Sequence, residues 1–134
     1  MERIIYCPNE GFLEDAQELS RVAQLPIVVG DSENTKLLNF DRSTVCVVKI
    51  PRVKEILVWS PRIKQGMHQS VIITDEFCED IKEYRLNVDN SDIAPLYREK
   101  NRAKWVFDCT ESGNREINVY VGNNKVDVVE YYVY

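Results

Sequence analysis

The C-terminal segment constrains the fold more than any other part of this chain. In Glu116-Ile-Asn-Val-Tyr-Val121 the apolar residues Ile117, Val119 and Val121 alternate, Gly122-Asn123-Asn124 tolerates positive φ, and β-branched residues resume from Val126 to Tyr134. The pattern predicts an antiparallel β-hairpin that reaches the last residue. A lone hairpin is marginal in water, so the preceding residues must supply the rest of a sheet and whatever covers it.

The N-terminal residues offer a second supersecondary unit. Arg3–Cys7 reads as a buried strand, Pro8-Asn9-Glu10-Gly11 breaks it, and a helical stripe follows with Phe12, Ala16, Leu19 and Ala23 on one side, Leu13 and Val22 at its edge. Leu25–Gly30 then returns as a strand, which gives a β-α-β unit with parallel strands. After a polar loop at Asp31–Thr35, Thr44–Ile50 is β-branched enough for a central strand, and Pro51-Arg52 interrupts it. Val53–Ser60 shows no clean polar face, so both of its sides are expected to be covered. Ser60–Gly66 reads as turn and loop, and Ser70–Thr74 as strand.

Thr74-Asp75-Glu76 has the chemistry of a helix start, a hydroxyl cap followed by two acids, which predicts a second main helix with Phe77, Ile81 and Tyr84 facing inward. Asp89–Asp92 marks a turn, a short helix is expected over Ala94–Lys100 beginning at Pro95, Lys104–Cys109 is a strand and Glu111–Asn114 a turn. The sum is an α/β to α+β fold. It is a single-layer mixed sheet with two main helices, an N-terminal β-α-β unit and a C-terminal antiparallel hairpin, in one globular domain over residues 1–134.

A chain of 134 residues with 44% hydrophobic side chains can bury one core without staples. Its apolar runs, such as Ile27-Val28-Val29 and Val71-Ile72-Ile73, are strand-sized, and its first residues have no long apolar region, so neither a membrane span nor a secretory signal is expected. Cys7, Cys46, Cys78 and Cys109 form no C-x-x-C pair and none adjoins His68, which argues against a zinc site. Their apolar contexts suggest reduced, buried thiols in a cytoplasmic protein, with a Cys46–Cys109 bridge as the pairing left open.

A net charge of −5 argues against a surface built as a whole for nucleic acid or anionic lipid. Acids concentrate in Glu10–Glu33 and Asp75–Glu83, bases in Lys49–Lys64 and Arg98–Lys104. The second acidic group carries carboxylates at i, i+4 spacing, more often a solvated face or a docking surface for a basic partner than a metal site. Tyr131, Tyr132 and Tyr134 put aromatic rings on both faces of the final strand, and tyrosine is favoured at interfaces.

These features lead to a small acidic, non-catalytic protein-binding module, of the type of inhibitors and immunity-like antagonists, with no cofactor and no metal. Its expected contact residues are Glu76, Glu79, Asp80, Glu83, Tyr131, Tyr132 and Tyr134, and the C-terminal strand is an expected route to a homodimer. The alternative is an RNA- or DNA-binding accessory domain using Lys49, Arg52, Lys54, Trp59, Arg62 and Lys64, where an aromatic ring interleaved with bases offers a stacking platform. Membrane partners are not expected. A third reading is a thiol-dependent enzyme with Cys7 lowered in pKa between a strand and a helix and His68 as its base. Gly11 alone makes no phosphate loop, since Cys7–Gly11 holds one glycine and an acid.

Overall fold

The computed structural model describes residues 2–30, 44–52, 55–75 and 81–134. The N-terminal unit forms as its pattern implies. β1 (Glu2–Cys7) leads through a 3-10 turn (Glu10–Phe12) into α1 (Leu13–Ala23) and then β2 (Ile27–Val29), which pairs with β1 in parallel, Ile5 opposite Ile27. Asn9 opens the turn by accepting the Gly11 N–H at 2.9 Å, Glu14 and Asp15 sit at the positive end of the α1 dipole, and Gln24 ends the helix in the left-handed region at φ 57°. Gly30 closes the unit with its N–H 2.7 Å from the Cys7 carbonyl oxygen. A Cβ there would lie 2.6 Å from the Pro8 carbonyl, so this approach requires glycine.

Further along the chain come β3 (Cys46–Arg52), β4 (Glu55–Trp59), β5 (Arg62–Ile63), β6 (His68–Asp75), a 3-10 turn (Ile81–Glu83), β7 (Tyr84–Val88) and β8 (Ser91–Ile93). They are followed by β9 (Tyr97–Arg98), β10 (Arg102–Asp108), β11 (Gly113–Val121) and β12 (Asn124–Val133). Asp89 and Asn90, at φ 52° and 65°, form the two-residue turn between β7 and β8. Gly122, at φ 60°, turns the expected hairpin from β11 into β12.

The strands lie in two sheets rather than the single layer expected from sequence. The larger has the order β2-β1-β3-β4-β6-β10-β9 and the smaller β5-β12-β11-β7-β8. Each is antiparallel except at one edge, β1 with β2 and β5 with β12. Alternation tells which residues share a face but not which sheet a strand joins. The first change of sheet occurs at Ser60-Pro61, where β4 of the larger sheet hands over to β5 of the smaller.

Between the sheets, Val47, Leu57, Trp59, Val71, Ile73, Ala103 and Trp105 pack against Leu86, Ile117, Val119, Val129, Tyr131 and Val133. On the same side of the larger sheet, α1 places Ala16 against Ile5 and Cys7, with Phe12 and Leu19 around them. Ile4, Cys46, Val48, Val58 and Ile72 are buried on the reverse side, so β3 and β4 are covered on both faces, as the missing polar row in β4 implied.

Three local expectations are corrected. Thr74 and Asp75 end β6 instead of starting a helix: Asp75 is fully buried opposite Glu55, and its N–H donates to the Asn101 carbonyl oxygen at 2.8 Å. Strand pairing overrides the capping chemistry, and α1 is the one α-helix among the described residues, with Phe77 outside them. The segment expected as a helix from Pro95 instead contributes β9, an edge strand beside β10. Pro51 does not stop β3, which runs on to Arg52 through a register irregularity after Lys49, where an in-strand proline is tolerated.

Cys7, Cys46 and Cys109 are buried thiols outside any disulfide, Cys46 and Cys109 in different clusters, so the Cys46–Cys109 bridge does not form; Cys78 and the Asp31–Thr35 loop lie outside the described residues. No helix among the described residues is long and apolar enough to cross a membrane.

Candidate functional site

The smaller sheet turns Ile117, Val119, Val129, Tyr131 and Val133 inward, so the alternate residues form its outer face. Across β11 and β12 that face reads Asn114 opposite Tyr132, Glu116 opposite Glu130 and Asn118 opposite Val128, with Asn87 of β7 flanking Asn118. One end of it is internally satisfied. Arg85 donates to Asp92 at 2.9 Å and to the Gly122 carbonyl at 3.0 Å and lies over the Tyr120 ring, while Asn87 donates to Asp92 at 3.3 Å.

The other end is not. Glu116 and Glu130 face each other directly with no basic partner among the described residues, an arrangement that destabilises a sheet. Arg115, the nearest base in sequence, is committed to Glu111 at 2.9 Å and Asp89 at 3.5 Å. The buried Oδ1 of Asn118 beside them also lacks a donor. Together with Asp89, Asn90, Asn114 and Arg115 these groups line a cavity of about 470 Å³. Tyr132, 42% exposed, is paired opposite Asn114 of this lining.

The apposition of the two glutamates comes from a β-bulge. Val121 faces Asn124 and Tyr120 faces Lys125, but the register then shifts so that Val119 faces Asp127 and Glu116 faces Glu130. An unbulged hairpin from the same turn would set Glu116 against Val129. Both glutamates were present in the hairpin pattern, but the shift that joins them was not legible there.

Of the contact residues expected from sequence, Tyr132 and Tyr134 are exposed and Tyr131 is buried between the sheets, where burial raises its hydroxyl pKa well above the ordinary range. Glu83 is exposed in its 3-10 turn, and Glu76, Glu79 and Asp80 lie outside the described residues. β12 is not an edge strand. β5 pairs with its end, and two further points along it are engaged from the larger sheet: the Trp59 Nε1–H donates to the Glu130 carbonyl at 3.0 Å, and Lys49 pairs with Asp127. These contacts blunt the edge that a homodimer would use.

The basic-aromatic set does not form one surface. Lys49 and Trp59 point into the interior, Arg52 ends β3, and Lys54 lies outside the described residues. Arg62 and Lys64 instead share a second cavity, of about 410 Å³, with His68 and Lys104. Cys7 is fully buried, its Sγ donates to the Asn9 carbonyl at 2.9 Å, and burial pushes the thiol up, opposite to the direction a nucleophile needs. His68 is on β6, three strands from β1 or about 14 Å at ordinary strand spacing, and its Nδ1 lies 2.6 Å from Asp108.

No family model and no curated protein matches this sequence. No group of three or more His, Cys, Asp or Glu side chains among the described residues is placed to hold a metal ion.

Proposed function

We propose that this protein is a non-catalytic binding module that docks a basic surface of another protein on the outer face of its smaller sheet. The observation that carries the reading is the Glu116–Glu130 pair, two uncompensated carboxylates held opposite each other beside the undonated Asn118 Oδ1. Three acceptors around one cavity suit a donor-rich cation, and an arginine or lysine side chain of a partner supplies both the charge and the donors. Tyr132 gives the same face an aromatic anchor. An inhibitor or antagonist role fits such a surface, since blocking a basic partner site needs complementarity and no chemistry.

The test is capture from native lysate with the wild-type protein and an E116Q/E130Q variant, at low and moderately high salt. A protein retained by the wild type, lost by the variant and released by salt supports the reading. Equal retention by both removes this face from consideration.

A further inference from the structure

We infer that the cavity at the start of β6 is a binding site for a phosphate-bearing ligand, with Arg62, Lys64, His68 and Lys104 as its recognition groups. Four elements bring these residues together: β5, the loop after it, the first residue of β6 and the outward side of β10, where Lys104 alternates with buried Ala103 and Trp105. The chain has 22 acidic and 17 basic residues, yet no carboxylate side chain is among the described residues that line this cavity. The charged side chains of its lining are therefore all basic, with Asp108 held against His68 at one side.

Several bases elsewhere in the molecule are committed to partners. Lys49 is paired with Asp127, Arg85 with Asp92 and Arg115 with Asp89 and Glu111, while Arg98 donates to the carbonyls of Ile81, Lys82 and Tyr84. Arg62, Lys64 and Lys104 have no carboxylate partner among the described residues, and Arg62 lies over the Tyr134 ring, 5.2 Å from its centroid. Asp108 holds His68 by Nδ1, which leaves Nε2 as the remaining hydrogen-bonding atom of the ring. The donors of Arg62, Lys64 and Lys104, without a carboxylate partner among the described residues, match the several acceptor oxygens and negative charge of a phosphate group.

The cavity exceeds what a phosphate ion fills. A neighbouring space of about 260 Å³ shares Arg62 and Tyr134 and adds Phe12, Leu19 and Pro61 with the acceptors Asp15 and Glu18. Apolar walls, an aromatic ring and acceptors next to a basic end describe a place for the nucleoside part of a nucleotide, free or within a single strand.

The experiment is an amide NMR titration of the full chain with inorganic phosphate, adenosine monophosphate and a single-stranded RNA hexamer, on wild type and on K64Q, K104Q and R85Q variants with unchanged melting temperatures. Saturable shifts at Lys64, His68, Lys104 and Tyr134 are expected, with affinity about tenfold lower in K64Q and in K104Q and unaltered in R85Q. Tighter binding of the hexamer than of the monophosphate assigns the ligand to nucleic acid, and the reverse to a free nucleotide. No saturable shift with any of the three, or wild-type affinity in both K64Q and K104Q, overturns the inference. The E116Q/E130Q variant should bind phosphate as the wild type does, so this site and the acidic face fail or stand separately.

Discussion

Lys49 on β3 and Asp127 on β12 form an ion pair inside the sandwich, and the Asp127 Oδ1 that meets Lys49 also accepts the Val128 N–H at 2.8 Å. One carboxylate thus links the two sheets and occupies a backbone donor on a strand that would otherwise offer it to a neighbour. Both side chains are largely buried, so neither tolerates loss of the other.

Lys49→Met is therefore expected to cost about 3 kcal/mol, because it strands the Asp127 carboxylate in the interior. Adding Asp127→Asn should recover a substantial part of the loss by removing that charge. Urea unfolding of the single and double variants reads both values.

The indole of Trp59 donates to the Glu130 carbonyl at 3.0 Å and carries the Arg3 guanidinium 5.9 Å from its ring centroid. Trp59→Phe retains most of the apolar packing but leaves the carbonyl without its donor, a change expected to cost about 2 kcal/mol. A denaturation midpoint equal to that of the wild type would show that water or another donor replaces the bond.

Relief of like-charge repulsion makes Glu130→Gln an unusual substitution for this protein. It should stabilise the isolated chain by about 0.5 kcal/mol at low salt, with the gain shrinking as salt screens the pair. The same change should weaken partner capture. Thermal unfolding at two ionic strengths, beside the capture assay, tests whether stability and binding move in opposite directions.

Burial raises the thiols of Cys7 and Cys109 above the ordinary value of 9.0 and the Tyr131 hydroxyl above 10.0. In the unfolded chain these groups lose their protons at the ordinary values, whereas in the folded chain they stay neutral to higher pH. Their contribution is complete below about pH 9 and falls as pH rises above it, since the folded state then holds more protons than the unfolded one. Stability measured from pH 7 to 11 should decline over the upper part, and Tyr131→Phe should flatten the decline above pH 10.

The same burial sets thiol reactivity. Cys7, Cys46 and Cys109 should react with iodoacetamide slowly and at similar rates in the native protein, and quickly in urea. Selective fast alkylation of Cys7 would restore the case for an activated nucleophile.

Local signals proved the most legible. The β-α-β unit and the C-terminal hairpin rest on contacts close in sequence, on the helix stripe through Ala16 and Leu19, and on the turn residues around Gly122. Thr74-Asp75-Glu76 misled because its capping chemistry is equally local, and the pairing of β6 with β4 and β10 outweighs it. Trp59 among bases suggested an exposed ring, yet its strand neighbours and the opposing sheet enclose it. Of the acidic face, Tyr132 was named from sequence, whereas Glu116, Glu130 and Asn118 were not.

By itself, then, the sequence determined strand and helix periodicity, the turn at Gly122, and the alternation that sends Val129, Tyr131 and Val133 to one side and Glu130 and Tyr132 to the other. The tertiary structure decided that there are two sheets, that Lys49 is interior while Lys64 and Lys104 share a cavity, and that a bulge sets Glu116 against Glu130. The physical reason is range. Backbone preference and side-chain period act over a few residues, but sheet membership, burial of a charge and register beyond a bulge depend on which distant strands pack together.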